Sequence, residues 1–125
     1  MRNQLQRAVV ALAQPADIQL SLFPDFVSKP DELALDFEDG LYEMVGHEEQ
    51  FSDQQRAAID ALNKRISSNS GEQHASFWTE AAVREHPIWD EIGTAAKATA
   101  DVFAWDLQSV PLSNAVYVPV GPSDR

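Results

Sequence analysis

The apolar residues of this chain recur at intervals of three and four in four separate segments, and this spacing is the strongest constraint on its fold. Such intervals place side chains on one face of an α-helix, whereas a strand requires strict alternation. We therefore predict an all-α fold, with a single domain of five or six helices around one core. The four sets are Leu5, Ala8, Val9 and Leu12; Leu33, Phe37, Leu41 and Met44; Ile59, Leu62 and Ile66; and Trp89, Ile92, Ala96, Ala100 and Phe103.

Helix-boundary signals accompany these segments. The sequence Ser52-Asp53-Gln54-Gln55 forms a capping box, which predicts a helix that continues to about residue 67. Pro30 and Pro87 suit the first position of a helix, and Thr79 can cap a short helix over residues 80–85. The boundaries therefore support the same helical interpretation as the apolar spacing.

Two segments are more ambiguous. Residues 15–28 contain Ile18, Leu20 and Leu22, which alternate as in a strand, but we predict a short helix because no partner strand lies nearby. In the following helix, Gly40 allows a kink near residues 39–40, and Gly46 suits a left-handed C-terminal cap.

The length of 125 residues corresponds to one ordinary domain. We expect residues 1–105 to form the helical domain. Residues 106–125 contain three prolines and a short β-prone stretch, so we expect an extended tail that packs on the domain or is partly disordered.

The chain contains no apolar run of the roughly 20 residues that a membrane span requires. Near the N-terminus, Ala11 and Ala13 resemble a signal-peptidase tripeptide, but the uninterrupted apolar run before them is short. We therefore favour a first helix from about residue 3 to 13 over a signal peptide, and a cytoplasmic location. The absence of cysteine excludes disulfides, thiol catalysis and cysteine-ligated metals.

Negative charge is concentrated in one part of the chain. Nine acidic residues lie between Asp31 and Asp53, with no Lys or Arg among them. This stretch carries −9 of the formal net charge of −11 and leaves −2 for the other 102 residues. The acidity is therefore local, and it argues against binding to nucleic acid, which needs clustered cations.

Four of these acids share one helix face. Glu32, Asp36, Asp39 and Glu43 are spaced by four, three and four residues, so they lie within about 60° of one another. We expect this face to be exposed to solvent, on the side opposite the apolar residues. Like charges at this spacing destabilise a helix by a few tenths of a kcal/mol each, so helix stability does not explain the pattern.

We interpret the acidic face as a docking surface for a basic protein partner. A solvated face without a partner and weak association with divalent cations are the alternatives. Leu35 and Tyr42 flank the acids and point partly outward, although they could instead pack under a neighbouring helix. The predicted partner-binding residues are Glu32, Leu35, Asp36, Asp39, Tyr42, Glu43, Glu48 and Glu49.

No sequence motif indicates catalysis or a cofactor. The three histidines form neither an HExxH motif nor paired ExxH motifs, and the chain contains no GxSxG motif and no phosphate-binding glycine loop. We expect no metal, no cofactor and no catalytic residue. The favoured hypothesis is a non-catalytic interaction protein, such as an inhibitor or immunity-type protein against a cationic enzyme, for example a nuclease. The alternatives are a small helical subunit or homodimer whose tail docks on a neighbour, and a small hydrolase.

Overall fold

A computed structural model of the chain describes residues 4–107, and within this range it contains helices and no strand. The prediction of an all-α fold is therefore confirmed. Residues 108–125, and with them nearly all of the predicted tail, lie outside the described residues. The α-helices are α1 (Gln4–Leu12), α2 (Ala16–Ser21), α3 (Lys29–Tyr42), α4 (Asp53–Ser67), α5 (Glu80–Glu85) and α6 (Pro87–Phe103), and the two 3-10 helices are Glu48–Gln50 and Glu72–Phe77.

The first helix lies at the centre of the molecule. Helix α1 is covered because it packs against both α3 and α6. Helix α4 in turn packs on α6. Val9 and Leu12 are almost completely inaccessible to solvent. The predicted first helix is thus confirmed, and it supplies the middle of the core.

The predicted N-terminal caps of α4 and α5 are also confirmed. The Ser52 hydroxyl accepts a hydrogen bond from the backbone N–H of Gln55 at 3.0 Å, and the Gln55 side chain accepts one from the N–H of Ser52 at 2.9 Å. The Thr79 hydroxyl accepts from the N–H of Ala82 at 3.0 Å. Both side chains therefore satisfy backbone donors that have no partner within the first helical turn.

The segment that follows α1 forms the helix α2, as predicted, and not a strand. Gln19 of this helix is buried, and its Nε2 donates to the backbone carbonyls of Ala11 and Leu12 at 3.2 and 3.0 Å. These carbonyls belong to the last turn of α1, where helix carbonyls lack partners within the helix. A short helix at this position thus completes the hydrogen bonding of α1.

Gly40 does not break α3, which continues to Tyr42. A Cβ atom at Gly40 would lie 2.6 Å from the Cα of Leu5, so the glycine allows α1 and α3 to approach closely. The interpretation of Gly40 as a possible kink is therefore wrong. The physical reason for a glycine at this position is the close packing of α1 on α3. Gly46 has the positive φ predicted for it, 85°, although α3 ends four residues earlier.

No helix in the described range combines the length and the apolar character needed to cross a membrane.

Candidate partner-binding groove

An open groove of about 1060 Å³ lies between α3 and the segment that runs from the end of α4 to Trp78. It follows α3 over most of its length. We call this feature the α3 groove. It is lined by Asp31, Ala34, Leu35, Phe37, Glu38, Leu41, Tyr42 and Val45 on one side and by Asn63, Ile66, Ser67, Ser70, Gly71, Glu72, Ala75 and Trp78 on the other.

The first wall of the α3 groove carries exposed apolar side chains. The exposed fractions of Leu35, Tyr42 and Val45 are 47%, 70% and 66%, whereas Leu33 and Phe37 of the same helix region are buried in the core. The apolar residues of this region therefore extend beyond the stripe that faces α1. Large apolar side chains gathered at one exposed place are a typical property of interaction surfaces.

The opposite wall is formed around Trp78, whose position is set by two contacts. Its indole Nε1 donates to the backbone carbonyl of Asn69 at 2.8 Å. Its ring meets the ring of the buried Trp89 edge to face, with centroids 5.3 Å apart. The indole of Trp89 in turn donates to the carbonyl of Phe77 at 2.7 Å. Trp78 thus offers a half-buried aromatic surface that is held in place from behind.

Three exposed carboxylates lie along the groove. Asp31 and Glu38 belong to the wall formed by α3, and Glu72 belongs to the opposite wall. Within residues 4–107 none of the three has an ion pair or a side-chain hydrogen bond. The described lining of the groove includes no Lys or Arg. The groove therefore combines apolar walls with uncompensated negative charge.

The structure brings only part of the predicted site together at this groove. Leu35 and Tyr42 line it, and their outward orientation is confirmed. Glu48 and Glu49 are exposed on the 3-10 helix that follows α3. Arg56 of α4 contacts this 3-10 helix, because its Nη1 donates a hydrogen bond to the backbone carbonyl of Glu48 at 2.7 Å.

The predicted file of four acids lies on the other flank of α3, next to α1. Asp39 is exposed, whereas Glu32, Asp36 and Glu43 are half-buried. The expectation that this face is exposed to solvent therefore holds for Asp39 and is wrong for the other three acids. The close approach of α1 to α3 at Gly40 is the reason, because it covers this flank of the helix.

The effect of covering this flank of α3 is clearest at Asp36. The pKa of its carboxyl is raised to about 6, mainly by burial and in addition by the charges of Glu32 and Asp39. Arg7 and a side-chain hydrogen bond from Gln4 act in the opposite direction. Helix α1 thus brings the cation Arg7 to these acids, although the stretch from Asp31 to Asp53 itself contains no Lys or Arg.

Of the groove residues, sequence reasoning identified Leu35 and Tyr42, and it missed, among others, Asp31, Glu38, Val45 and Trp78. Asp31, Ala34, Glu38, Leu41 and Val45 follow one another at intervals of three and four, the same spacing that defines the buried stripe. This second stripe was a detectable signal. A stripe of mixed apolar and acidic residues nevertheless resembles an ordinary helix surface and does not by itself indicate a binding site.

The other polar side chains of the described residues give no comparable indication of a binding site. Within residues 4–107 no three His, Asp or Glu side chains are arranged to hold a metal ion. His86 caps α6, since its Nδ1 accepts from the N–H of Ile88 at 3.1 Å. Its ring also contacts the ring of Phe77, with centroids 4.4 Å apart. His86 therefore has a structural role at the start of α6.

No protein-family model matches this chain, and no curated protein or solved structure is significantly similar to it.

Proposed function

We propose that this protein is a non-catalytic interaction protein that binds a basic protein partner in the α3 groove. The single observation that carries the proposal is the combination of exposed Leu35, Tyr42 and Val45 with the unpaired carboxylates of Asp31 and Glu38. Apolar anchors supply affinity when they are desolvated, and charges around them guide the encounter and select the partner.

The charge of the groove favours a cationic partner over a second copy of the chain. Two copies would each bring a net charge of −11 to the contact, and like charges placed together at an interface cost free energy. A basic partner gains from the same arrangement, because opposite charge accelerates association. The homodimer is therefore the less favoured alternative.

The biological role that we propose is inhibition of a cationic enzyme, as an immunity-type protein does, in the cytoplasm. A nuclease is a suitable example, because an enzyme that binds phosphates presents a basic surface. A small acidic protein that covers this surface would block the access of the substrate. Glu48, Glu49 and Asp39, which are exposed near one end of α3, would extend the acidic contact beyond the groove.

Affinity capture with two matched variants tests the proposal. The wild-type protein, Leu35→Asp and Phe26→Asp are immobilised and exposed to the same lysate at low salt. Phe26 is 60% exposed and does not line the groove, so its variant adds the same charge at a different place. We expect a basic protein to be retained by the wild type and by Phe26→Asp and to be lost from Leu35→Asp.

The captured protein is then purified and, if it is an enzyme, assayed with increasing amounts of the wild-type protein. We expect its activity to fall as the complex forms. Retention of the same proteins by all three immobilised forms would contradict the use of the groove. Capture of only acidic or neutral proteins would contradict the proposed class of partner.

A further inference from the structure

We infer that the segment of the partner that enters the α3 groove is an amphipathic α-helix of about three to four turns, with basic residues repeated two turns apart. This inference rests on the proposed function and names the conformation and charge pattern of the bound segment. Three properties of the groove support it: its size and length, the kind of contact its walls can make, and the spacing of its carboxylates.

The dimensions of the groove fit a polypeptide helix better than a small molecule. Its volume of about 1060 Å³ slightly exceeds the range of small-molecule pockets, roughly 300–1,000 Å³. A small-molecule pocket also encloses its ligand, whereas Leu35, Tyr42 and Val45 are largely open to solvent. The lining follows α3 from Asp31 to Tyr42, which is about 16 Å or three helical turns, and continues to Val45 in the turn after α3. The groove therefore matches the length of a bound helix of about three to four turns.

The walls of the groove favour a helix over an extended segment. Extended peptides commonly gain affinity by pairing with the edge of a sheet. The described part of the chain contains no strand, and the backbone groups within α3 are engaged in the helix itself. Binding must therefore come from side chains, and a helix presents its apolar side chains on one face without leaving its own backbone groups unpaired.

The carboxylates define the charge pattern. Asp31 and Glu38 are seven residues apart on α3, which corresponds to about 10 Å along the helix and nearly the same angular position. Asp31 alone could be explained by its place in the first turn, where the helix dipole favours an acid, but Glu38 lies in the interior of the helix. A bound helix that lies along α3 would meet both charges with basic residues at positions i and i+7. Glu72 on the opposite wall would meet a third cation.

Four synthetic peptides of about 16 residues test the inference with the full-length protein. The parent peptide places Leu at i, i+3, i+4 and i+7, and it places two Lys seven residues apart at positions that flank this leucine stripe. The second has the same composition in strict alternation, the third has a central Pro in the parent sequence, and the fourth replaces Lys with Gln. Binding is followed by NMR shifts of the protein amides, and peptide helicity by circular dichroism.

We expect the parent peptide to bind and to shift the resonances of Leu35, Tyr42 and Trp78. The alternating and proline-containing peptides should bind at least about tenfold more weakly, because strict alternation does not place the leucines on one helix face and a central proline breaks the helix. The glutamine peptide should also lose affinity. Equal binding of the parent, alternating and proline-containing peptides in the groove would overturn the helical inference and leave the proposed function intact.

Two further outcomes would also count against the inference. Equal binding of the glutamine peptide would refute the charge pattern. If no cationic peptide shifts the groove resonances, the helical inference fails, and the capture experiment described above decides separately whether the proposed function fails with it.

Discussion

Gly40 of α3 lies directly against the backbone of Leu5 in α1, so that a Cβ atom at residue 40 would lie 2.6 Å from the Cα of Leu5. This contact sets the distance between the two helices. It also determines which flank of α3 is covered by α1 and which flank is left to line the α3 groove. The location of the proposed binding site is thus linked to a single close helix contact.

The first prediction concerns this contact. Gly40→Ala should lower the free energy of unfolding by about 1–2 kcal/mol, because the cost of overpacking exceeds the helix-propensity gain of alanine. Gly93→Ala is the matched control within α6, since a Cβ there would meet only the carbonyl oxygen of Leu12 at 3.6 Å. We expect the control to be neutral or stabilising by up to about 1 kcal/mol. Urea unfolding followed by circular dichroism measures both, and equal stability of the two variants would refute the role of Gly40.

The second prediction concerns the cap of α6. His86→Ala removes the acceptor for the N–H of Ile88 and should destabilise the protein by about 1 kcal/mol. His86→Asn supplies another good capping side chain and should retain most of the stability. Thermal unfolding of the two variants distinguishes capping from simple packing. If asparagine is as destabilising as alanine, the contact with Phe77 is the more important contribution of His86.

The third prediction concerns the pH dependence of stability. The pKa of Asp36 is raised to about 6 in the folded protein, above its ordinary value of 3.8, so the folded state holds this proton more tightly than the unfolded state does. The contribution of Asp36 to stability is therefore fully present below about pH 4 and is lost as the pH rises through 6. Asp36→Asn, which resembles the neutral form, should be more stable than the wild type at pH 7 by about 1–2 kcal/mol after allowance for solvent screening.

Urea unfolding between pH 4 and 7 measures this difference. Asp60→Asn provides the control, because Asp60 is an exposed aspartate on α4. We expect the advantage of Asp36→Asn over the wild type to grow from pH 4 through pH 6 and to level off near pH 7, where Asp36 is almost fully ionised. A difference that is independent of pH would show that desolvation of the charged carboxylate is not its cause.

The fold was more predictable from the sequence than the site. Helix positions depend on local signals, such as the capping box at Ser52 and the proline at residue 87, and these act within a few residues of the chain. The burial of Asp36 depends instead on α1, a helix that is distant in sequence. No local pattern reveals that α1 crosses α3 at Gly40 and carries Arg7 to the acidic flank.

The groove illustrates the same difference between local and long-range information. The exposure of Leu35 and Tyr42 followed from their angular position relative to the buried stripe of α3. The opposite wall could not be predicted, because Trp78 reaches the groove through a turn after α4 and an unpredicted 3-10 helix. An indole in a small helical domain is more commonly a core residue, as Trp89 is here.

The central claim, that the acids of the α3 groove bind a cationic partner, is tested most directly by the salt dependence of binding to the captured partner. The dissociation constant is measured between about 50 and 500 mM NaCl for the wild type, Glu38→Gln and Glu85→Gln, a range over which surface charges become screened. Glu85 is an exposed acid on α5 that does not line the groove, so its variant removes the same charge elsewhere. We predict that Glu38→Gln weakens binding about two- to fivefold at low salt and reduces the salt dependence, whereas Glu85→Gln matches the wild type. Equal effects of the two variants, or an affinity that does not change with salt, would contradict the claim.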